Sequence, residues 1–293
     1  MKIYDSILIT GGGGMLGHAL TDLLVLRGLK PISLNHSQLD IADRSALARA
    51  FAEHEPTLVL NCAAHTKVDL CEQETEKANA INGTAVGEMA ALCRASGAVL
   101  VHVSTDFVFD GSSRRPYLPG DPVNPLSAYG RSKWLGEQAI QENSPSRWLI
   151  VRTAWVYGRH GANFPRTMVQ AARAGKPLTV VSDQIGSPTH TPDLAAAILD
   201  LLDTGASGLW HVTNSGQTNW YDLAKATLAE FGVRAEISPI SSSEWAQKRP
   251  TSAIRPGYSV LDLSALQRQI ARPMPPWRQG LADFHEAVQR EGF

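Results

Sequence analysis

Cysteine is scarce. Cys62, Cys71 and Cys93 are too few and too scattered over 293 residues for a disulfide framework or a Cys-rich zinc site. A reduced, cytoplasmic protein is the expectation. No apolar run approaches the ~18 residues a membrane helix needs, so no spanning segment is expected. The opening, from Met1-Lys2 into Ile7-Leu8-Ile9, lacks signal-peptide architecture. An excess of one charge is also missing. Lys+Arg number 27 and Asp+Glu 28, for a net charge of -1, which argues against nucleic acid or an anionic membrane as the main partner. His18, His36, His54 and His211 show no ligand spacing of the H-x-x-x-H kind, so no metal site is assigned. Internal repeats, low-complexity segments and long flexible linkers are absent too.

What remains is an ordinary globular composition. Hydrophobic residues make up 43% and charged residues 19%, enough to bury a sizeable core. Length suggests two domains, or one large α/β domain with an appendage. Short apolar runs at 6–10, 31–34, 58–60, 99–103 and 149–151 alternate with helical spacing at 15–26, 45–54, 75–95 and 128–141. Nearly all-apolar strands between helices imply a doubly wound parallel sheet, the Rossmann form of the α/β class. After about Arg152 proline and glycine become denser, and helices at 191–202 and 220–231 alternate with short strands. The expected division is a dinucleotide-binding domain over 1–152 and a smaller C-terminal α/β substrate domain over 153–293, with segments free to return to the sheet.

Thr10-Gly11-Gly12-Gly13-Gly14-Met15-Leu16-Gly17 follows the first strand and opens the first helix. Gly11, Gly14 and Gly17 fall in a G-x-x-G-x-x-G register. Glycine permits the sharp turn, close approach to a pyrophosphate and tight helix–sheet packing. Free N–H groups at the helix start then bind the anion. A plain strand–helix turn is the alternative, but the strand and the following βα units favour a dinucleotide. An acid at the end of the second strand would select NAD. Asn35, His36 and Ser37 stand there instead, so NADPH is tolerated, and with no arginine to hold its phosphate NADH stays open. Asp40, just before Ile41, either accepts from the adenine amine or caps the next helix.

Tyr129 and Lys133 form Y-x-x-x-K on an expected helix, an i,i+4 pair on one face. A phenol with an ordinary pKa near ~10 is a poor acid–base catalyst at neutral pH. A nearby ammonium lowers that value. The pair gains weight from Val103-Ser104-Thr105-Asp106 at the end of a sheet strand, where open α/β sheets place ligands. Thr105 can bond the carbonyl oxygen that Tyr129 protonates.

Together the glycine turn, the Ser/Thr after the fourth strand and Tyr-x-x-x-Lys resemble the extended short-chain dehydrogenase/reductase superfamily. Within it the chain resembles the dTDP-4-dehydrorhamnose reductases. The matching stretches are Asn61-Cys62-Ala63-Ala64-His65-Thr66-Lys67-Val68-Asp69, Val103 to Gly111, and Tyr129-Gly130-Arg131-Ser132-Lys133. Further along they are Arg152-Thr153-Ala154-Trp155-Val156-Tyr157-Gly158, Asp183-Gln184-Ile185-Gly186-Ser187-Pro188-Thr189, and Arg255 to Asp262. They span almost the whole chain in order, and the later ones are the more specific.

The resemblance implies hydride transfer from a nicotinamide to C4 of a dTDP-linked keto sugar. Gly14, Met15 and Leu16 would lie along the cofactor pyrophosphate, Asp40 and Ile41 beside the adenine, and Ala63, Ala64 and His65 along the cofactor beyond the third strand. Tyr129 would donate the proton, and Lys133 would hold the nicotinamide ribose and tune Tyr129. Thr105 and Asp106 would contact the sugar, with Trp155 packed against it. His65 read as a loop histidine, Asp106 as a cap and Trp155 as core are the alternatives. Arg255 suits the diphosphate, since a guanidinium matches phosphate geometry; a surface salt bridge is its alternative. Asn82 would support the lysine through water, or simply pack. Magnesium enters only because some family members respond to it, and a homodimer only by analogy.

Related 4,6-dehydratases carry Asp-Glu after the Thr. Here Asp106 is followed by Phe107, which cannot act as that base. Combined epimerase–reductases need added acid–base residues, and Cys62 with His65 is the only nearby pair. Cys62 is better read as a small buried hydrophobe. Two further readings stand: a reductase of another nucleotide-linked 4-keto-6-deoxy sugar, and a non-catalytic nucleotide-binding regulatory subunit.

Overall fold

The first strand, β1 (Ile7–Thr10), is buried along its whole length, as a strand covered on both faces must be. It begins a computed structural model that describes residues 4–290; Met1 and Lys2, where the opening segment starts, lie outside the described residues. The glycine turn leads into α1 (Met15–Leu26), followed by β2 (Ile32–Leu34), α2 (Arg44–His54) and β3 (Leu58–Asn61). Asp43 caps α2, accepting from the amides of Ser45 and Ala46. Asp40 is therefore not that cap. It accepts from Ala42 N at 3.0 Å in the preceding turn.

The helix expected over 75–95 is broken. Short α3 (Val68–Cys71) and α4 (Thr75–Asn79) lead to a π-helical turn, Ala80–Thr84, before α5 (Ala85–Ser96). Then come β4 (Val99–Thr105), α6 (Ala128–Asn143) and β5 (Trp148–Thr153). The wide turn lies against α6 at close range. A Cβ on Gly136 would stand 2.2 Å from the Asn82 carbonyl oxygen, so only glycine allows that approach. Periodicity alone cannot register one extra residue in a turn.

The second half supplies β6 (Val156–Tyr157), α7 (Phe164–Arg173), β7 (Leu178–Val181), β8 (Ile185–Gly186), β9 (Thr189–His190), α8 (Thr191–Asp203) and β10 (Gly208–His211). It ends with β11 (Thr218–Asn219), α9 (Trp220–Glu230), β12 (Ile237–Ile240), α10 (Ser242–Lys248), α11 (Ser264–Gln269) and α12 (Trp277–Gln289).

Six parallel strands form the main sheet in the order β10-β5-β4-β3-β1-β2. Successive side chains take opposite faces. Ile7, Ile9, Leu58, Leu60, Leu149 and Val151 pack with Leu20 and Leu24 of α1 and Leu194 and Ile198 of α8. Leu8, Val59, Leu100 and Ile150 pack on the other face with Leu47 and Phe51 of α2 and Val86 and Met89 of α5. The sheet is thus an α/β layer of the Rossmann type. Its chain order reverses at β1, between β2 and β3, where such sheets open a crevice at their carboxyl ends. Residues 191–211 return to it, α8 against α1 and β10 beside β5. The rest of the second half makes a smaller lobe, with Val180, Ala224 and Leu228 in one cluster and Tyr157, Trp277 and Phe284 in another.

Candidate active site

At the carboxyl ends of β1, β3 and β4 a cavity of about 1190 Å³ opens between the sheet and the smaller lobe. Gly11, Gly14, Met15, Leu16, Gly17, Asp40, Ile41, Ala63, Ala64 and His65 line it on one side. Thr105, Asp106, Tyr129, Lys133, Trp155 and Arg255 line the rest. Sequence-distant candidates thus meet in one crevice.

The glycine turn is tight because nothing larger fits. Gly11 has φ 67°, and a Cβ there would stand 2.6 Å from Ala63 N. A Cβ on Gly17 would stand 2.6 Å from the Gly11 carbonyl oxygen. No side chain caps α1. Its first amides are left for an anion in the cavity. Asn35, His36 and Ser37 line the same cavity beyond β2.

Tyr129 and Lys133 sit one turn apart on α6, whose start is fixed twice. Ser127 Oγ accepts from Gly130 N at 3.1 Å, and Glu72 Oε1 accepts from Ala128 N at 2.8 Å. Burial pushes the Tyr129 phenol above its ordinary value, while the Thr105 hydroxyl acts the other way. The Phe107 ring meets Tyr129 edge-on at 5.5 Å. Lys133 is buried, and burial lowers its amine to about 8, with Glu137 opposing. Its Nζ donates to the Val103 carbonyl at 2.7 Å and lies 3.0 Å from His102 Nε2. These bonds tie the amine to β4.

Thr105 Oγ1 donates to Asp106 Oδ1 at 3.1 Å. The other carboxylate oxygen of Asp106 is buried with no hydrogen-bond partner. Burial raises this carboxyl to about 6, against the pull of the Ser259 and Thr105 hydroxyls. Trp155 is stacked on Trp220 at the cavity wall, with centroids 3.7 Å apart. Arg255 reaches Asp69 at 3.0 Å, so the salt bridge weighed as its alternative exists, and at the cavity edge. Asn82 bonds directly to the neighbours of the site. It accepts from His65 N at 2.8 Å and donates to the His65 carbonyl at 3.0 Å and to Ser132 Oγ at 3.0 Å. These bonds fix His65 in the loop between β3 and α3, and its Nε2 meets Glu74 at 3.1 Å. Burial pushes the Cys62 thiol up to about 12, so it offers no thiolate near neutral pH.

Sequence reasoning missed Trp220 and His102. Trp220 opens α9 far along the chain, and nothing local points it at Trp155. His102 does carry a signal: it is the one polar residue within Val99-Leu100-Val101-His102-Val103. Among the described residues no group of three or more His, Cys, Asp or Glu is arranged to hold a metal ion. No described helix is long and apolar enough to cross a membrane.

Comparison with known proteins agrees with this geometry. The family described as the RmlD substrate binding domain matches residues 5–290. A dTDP-4-dehydrorhamnose reductase of Streptomyces griseus is 42% identical over 287 residues, covering 96% of this chain and 93% of its own. A dTDP-4-keto-6-deoxy-D-glucose reductase of Streptomyces niveus is 42% identical over 280 residues, covering 94% and 95%. Among solved structures, the dTDP-4-dehydrorhamnose reductase of Bacillus anthracis in complex with NADP superposes with a TM-score of 0.90. It is 34% identical, over 95% of this chain and 98% of that one.

Proposed function

The chain belongs to the dTDP-4-dehydrorhamnose reductase family, and we propose on that footing that it reduces the C4 ketone of dTDP-4-dehydro-L-rhamnose to give dTDP-L-rhamnose, a precursor of cell-surface polysaccharide. The observation that carries this reading is the placement of Thr105, Tyr129 and Lys133 across one cavity from the glycine turn.

The turn fits a dinucleotide. Its amides are uncapped, and the close approaches at Gly11 and Gly17 leave no room for a side chain. Gly14, Met15 and Leu16 would hold the pyrophosphate, and Asp40 and Ile41 would flank the adenine. When bound, the reduced nicotinamide supplies the hydride. NADPH is the proposed coenzyme, because Asn35, His36 and Ser37 put no carboxylate beside a ribose 2′-phosphate. NADH is also accepted on this reading. Nothing in the described residues assigns a site to magnesium.

Tyr129 delivers its phenolic proton to the C4 oxygen as negative charge develops there. A positioned proton donor of this kind contributes roughly 10²–10⁴-fold. Thr105 donates a hydrogen bond to the same oxygen, and Lys133 holds the nicotinamide ribose. Asp106 accepts from a sugar hydroxyl through its unpartnered oxygen, with Trp155 as the apolar wall. Arg255 exchanges Asp69 for the diphosphate. The smaller lobe of 153–293 is the substrate domain in this scheme. A cytoplasmic homodimer completes it.

The test is loss of absorbance from NADPH, and separately NADH, with enzymatically made dTDP-4-dehydro-L-rhamnose, wild type beside Tyr129→Phe. Oxidation that yields dTDP-L-rhamnose and falls by roughly 10²-fold or more in the variant supports the assignment. A variant as active as wild type sinks the role of Tyr129. The name of the Streptomyces niveus relative brings in a second substrate arm, dTDP-4-keto-6-deoxy-D-glucose. Faster turnover of that sugar would move the assignment to another 4-keto-6-deoxy sugar. No turnover of either, with coenzyme bound, would favour a regulatory subunit.

A further inference from the structure

The glycine turn meets its anion with little charge. A pyrophosphate and a ribose 2′-phosphate together bring several negative charges, and a helix start answers with about half of one positive charge. β2 is followed by Asn35, His36 and Ser37, not by an arginine. Among the described residues lining the cavity, three have lysine or arginine side chains: Lys77, Lys133 and Arg255. Lys133 is bonded to β4 beside Tyr129, and Arg255 is paired with Asp69. Lys77 is the one on the coenzyme half.

The position of Lys77 suits that half. It lies on α4 about one turn before Ile81, and both residues line the cavity. Ile81 packs against the apolar cluster of Leu39 and Ile41, beside which the adenine would lie. Lys77 Nζ donates to Glu74 Oε2 at 3.1 Å, and His65 Nε2 meets the same oxygen at 3.1 Å. A lysine–glutamate pair on an exposed helix face is ordinarily worth little. This one is anchored, because the backbone N–H and carbonyl of His65 are both held by the buried Asn82. An ammonium has three N–H donors, so one bond to Glu74 leaves two for a phosphate. The side chain is 59% exposed, so a ligand can meet it without displacing protein.

We propose that Lys77 is the side-chain cation for a coenzyme phosphate, presented to the cavity by Glu74. It takes the part that an arginine near the second strand plays in other NADPH sites. The inference rests on the coenzyme reading given above. It adds a binding residue outside the glycine turn, on an element that follows β3 and not β2.

Glu74 complicates any test by deletion. Its bond to Lys77 holds the carboxyl below its ordinary value. Loss of the lysine bares that carboxylate, which would itself repel a phosphate. Contact and shielding therefore have to be separated.

Coenzyme Kd is measured by NADPH and NADH fluorescence with no sugar present, so the result does not depend on turnover. Lys77→Met should raise the NADPH Kd by roughly 5- to 30-fold at low salt, with a shallower dependence on salt than wild type. Lys77→Arg should keep most of the affinity. The double variant Lys77→Met/Glu74→Gln should stay about as weak as Lys77→Met. NADPH weakened alone places the contact at the 2′-phosphate, and NADPH and NADH weakened equally place it at the pyrophosphate; either supports the proposal. Wild-type affinity in Lys77→Met overturns it. So does full recovery in the double variant, since Lys77 would then only neutralise Glu74. In the wild-type protein, bound NADPH should protect Lys77 from reductive methylation, read by mass spectrometry. Equal labelling with and without saturating NADPH overturns the proposal whether or not the variants fold. A wild type that binds neither coenzyme overturns the dinucleotide reading itself, which separates that failure from this one.

Discussion

Trp155 and Trp220 stack face to face, their ring planes 12° from parallel and their centroids 3.7 Å apart. The first residue sits just past β5 with φ 48°, a left-handed backbone that a tryptophan rarely adopts. The second opens α9 behind the cap Asn219, whose side chain accepts from Asp222 N. Gly186 also approaches this ring: a Cβ there would come within 2.6 Å of it. The indole on this unusual backbone is thus held at the cavity wall by its contacts with Trp220 and Gly186.

Trp220→Ala removes the stacked ring. An aromatic pair is worth about 0.5–1.5 kcal/mol beyond its buried area. The expected result is a rise of about 3- to 10-fold in KM for the sugar nucleotide, with the coenzyme Kd unchanged. Steady-state kinetics beside a coenzyme titration separates the two. An unchanged sugar KM would show that Trp155 holds its place without Trp220.

Asp106→Asn should stabilise the protein at neutral pH while damaging it as an enzyme. The carboxyl titrates near about 6 when folded, above its ordinary value of 3.8. The folded state therefore binds this proton more readily than the unfolded chain. Its contribution favours folding below the unfolded value and is lost as pH rises from 3.8 through about 6. At pH 8 the variant avoids a buried charge worth on the order of 1–3 kcal/mol, so its Tm should exceed that of wild type. Below pH 4 the difference should vanish. A variant that melts no higher than wild type at pH 8 contradicts the buried-charge account.

Asn82→Ala leaves the His65 N–H and carbonyl without their partner. Buried polar groups stranded in this way cost about 1–3 kcal/mol. Because His65 lines the coenzyme side of the cavity, coenzyme binding should weaken by roughly tenfold for each 1.4 kcal/mol of that cost. Turnover at saturating coenzyme should stay close to wild type. Equal coenzyme affinity in fluorescence titrations would confine Asn82 to helix packing.

These residues also mark what a sequence discloses. The β1–glycine–α1 unit and the Tyr129/Lys133 pair were legible because each depends on near neighbours, a turn or a single helix face. The sheet's parallel order followed from all-apolar strands between helices. Trp220 was not legible, since its partner lies 65 residues earlier (Trp155 to Trp220) and the two meet only through the smaller lobe. β10 escaped for a similar reason: Gly208-Leu209-Trp210-His211 is a weak strand on local pattern, and pairing with β5 decides it. Asn82 fell on a helix that periodicity drew as continuous. The π-helical turn that aims it at His65 depends on close packing against Gly136.

Beside Lys133, Glu137 and Arg152 form an ion pair that is almost wholly out of water, at 0% and 1% exposure. Arg152 donates to both carboxylate oxygens, at 2.9 and 2.6 Å, and its guanidinium lies 5.0 Å from the Phe109 ring centroid. Ser104 Oγ supplies a third donor to Glu137 at 2.5 Å. Breaking such a pair from one side strands a buried charge and costs about 3–5 kcal/mol. Glu137→Gln should lower unfolding free energy by that amount in urea titrations, and Arg152→Met should do likewise. Replacing both by apolar residues, Glu137→Leu with Arg152→Met, removes the stranded charge along with the pair and should recover most of the loss. If the double variant is as unstable as Glu137→Gln alone, the cost lies in the lost packing around β4, β5 and α6, and the charge is not its source.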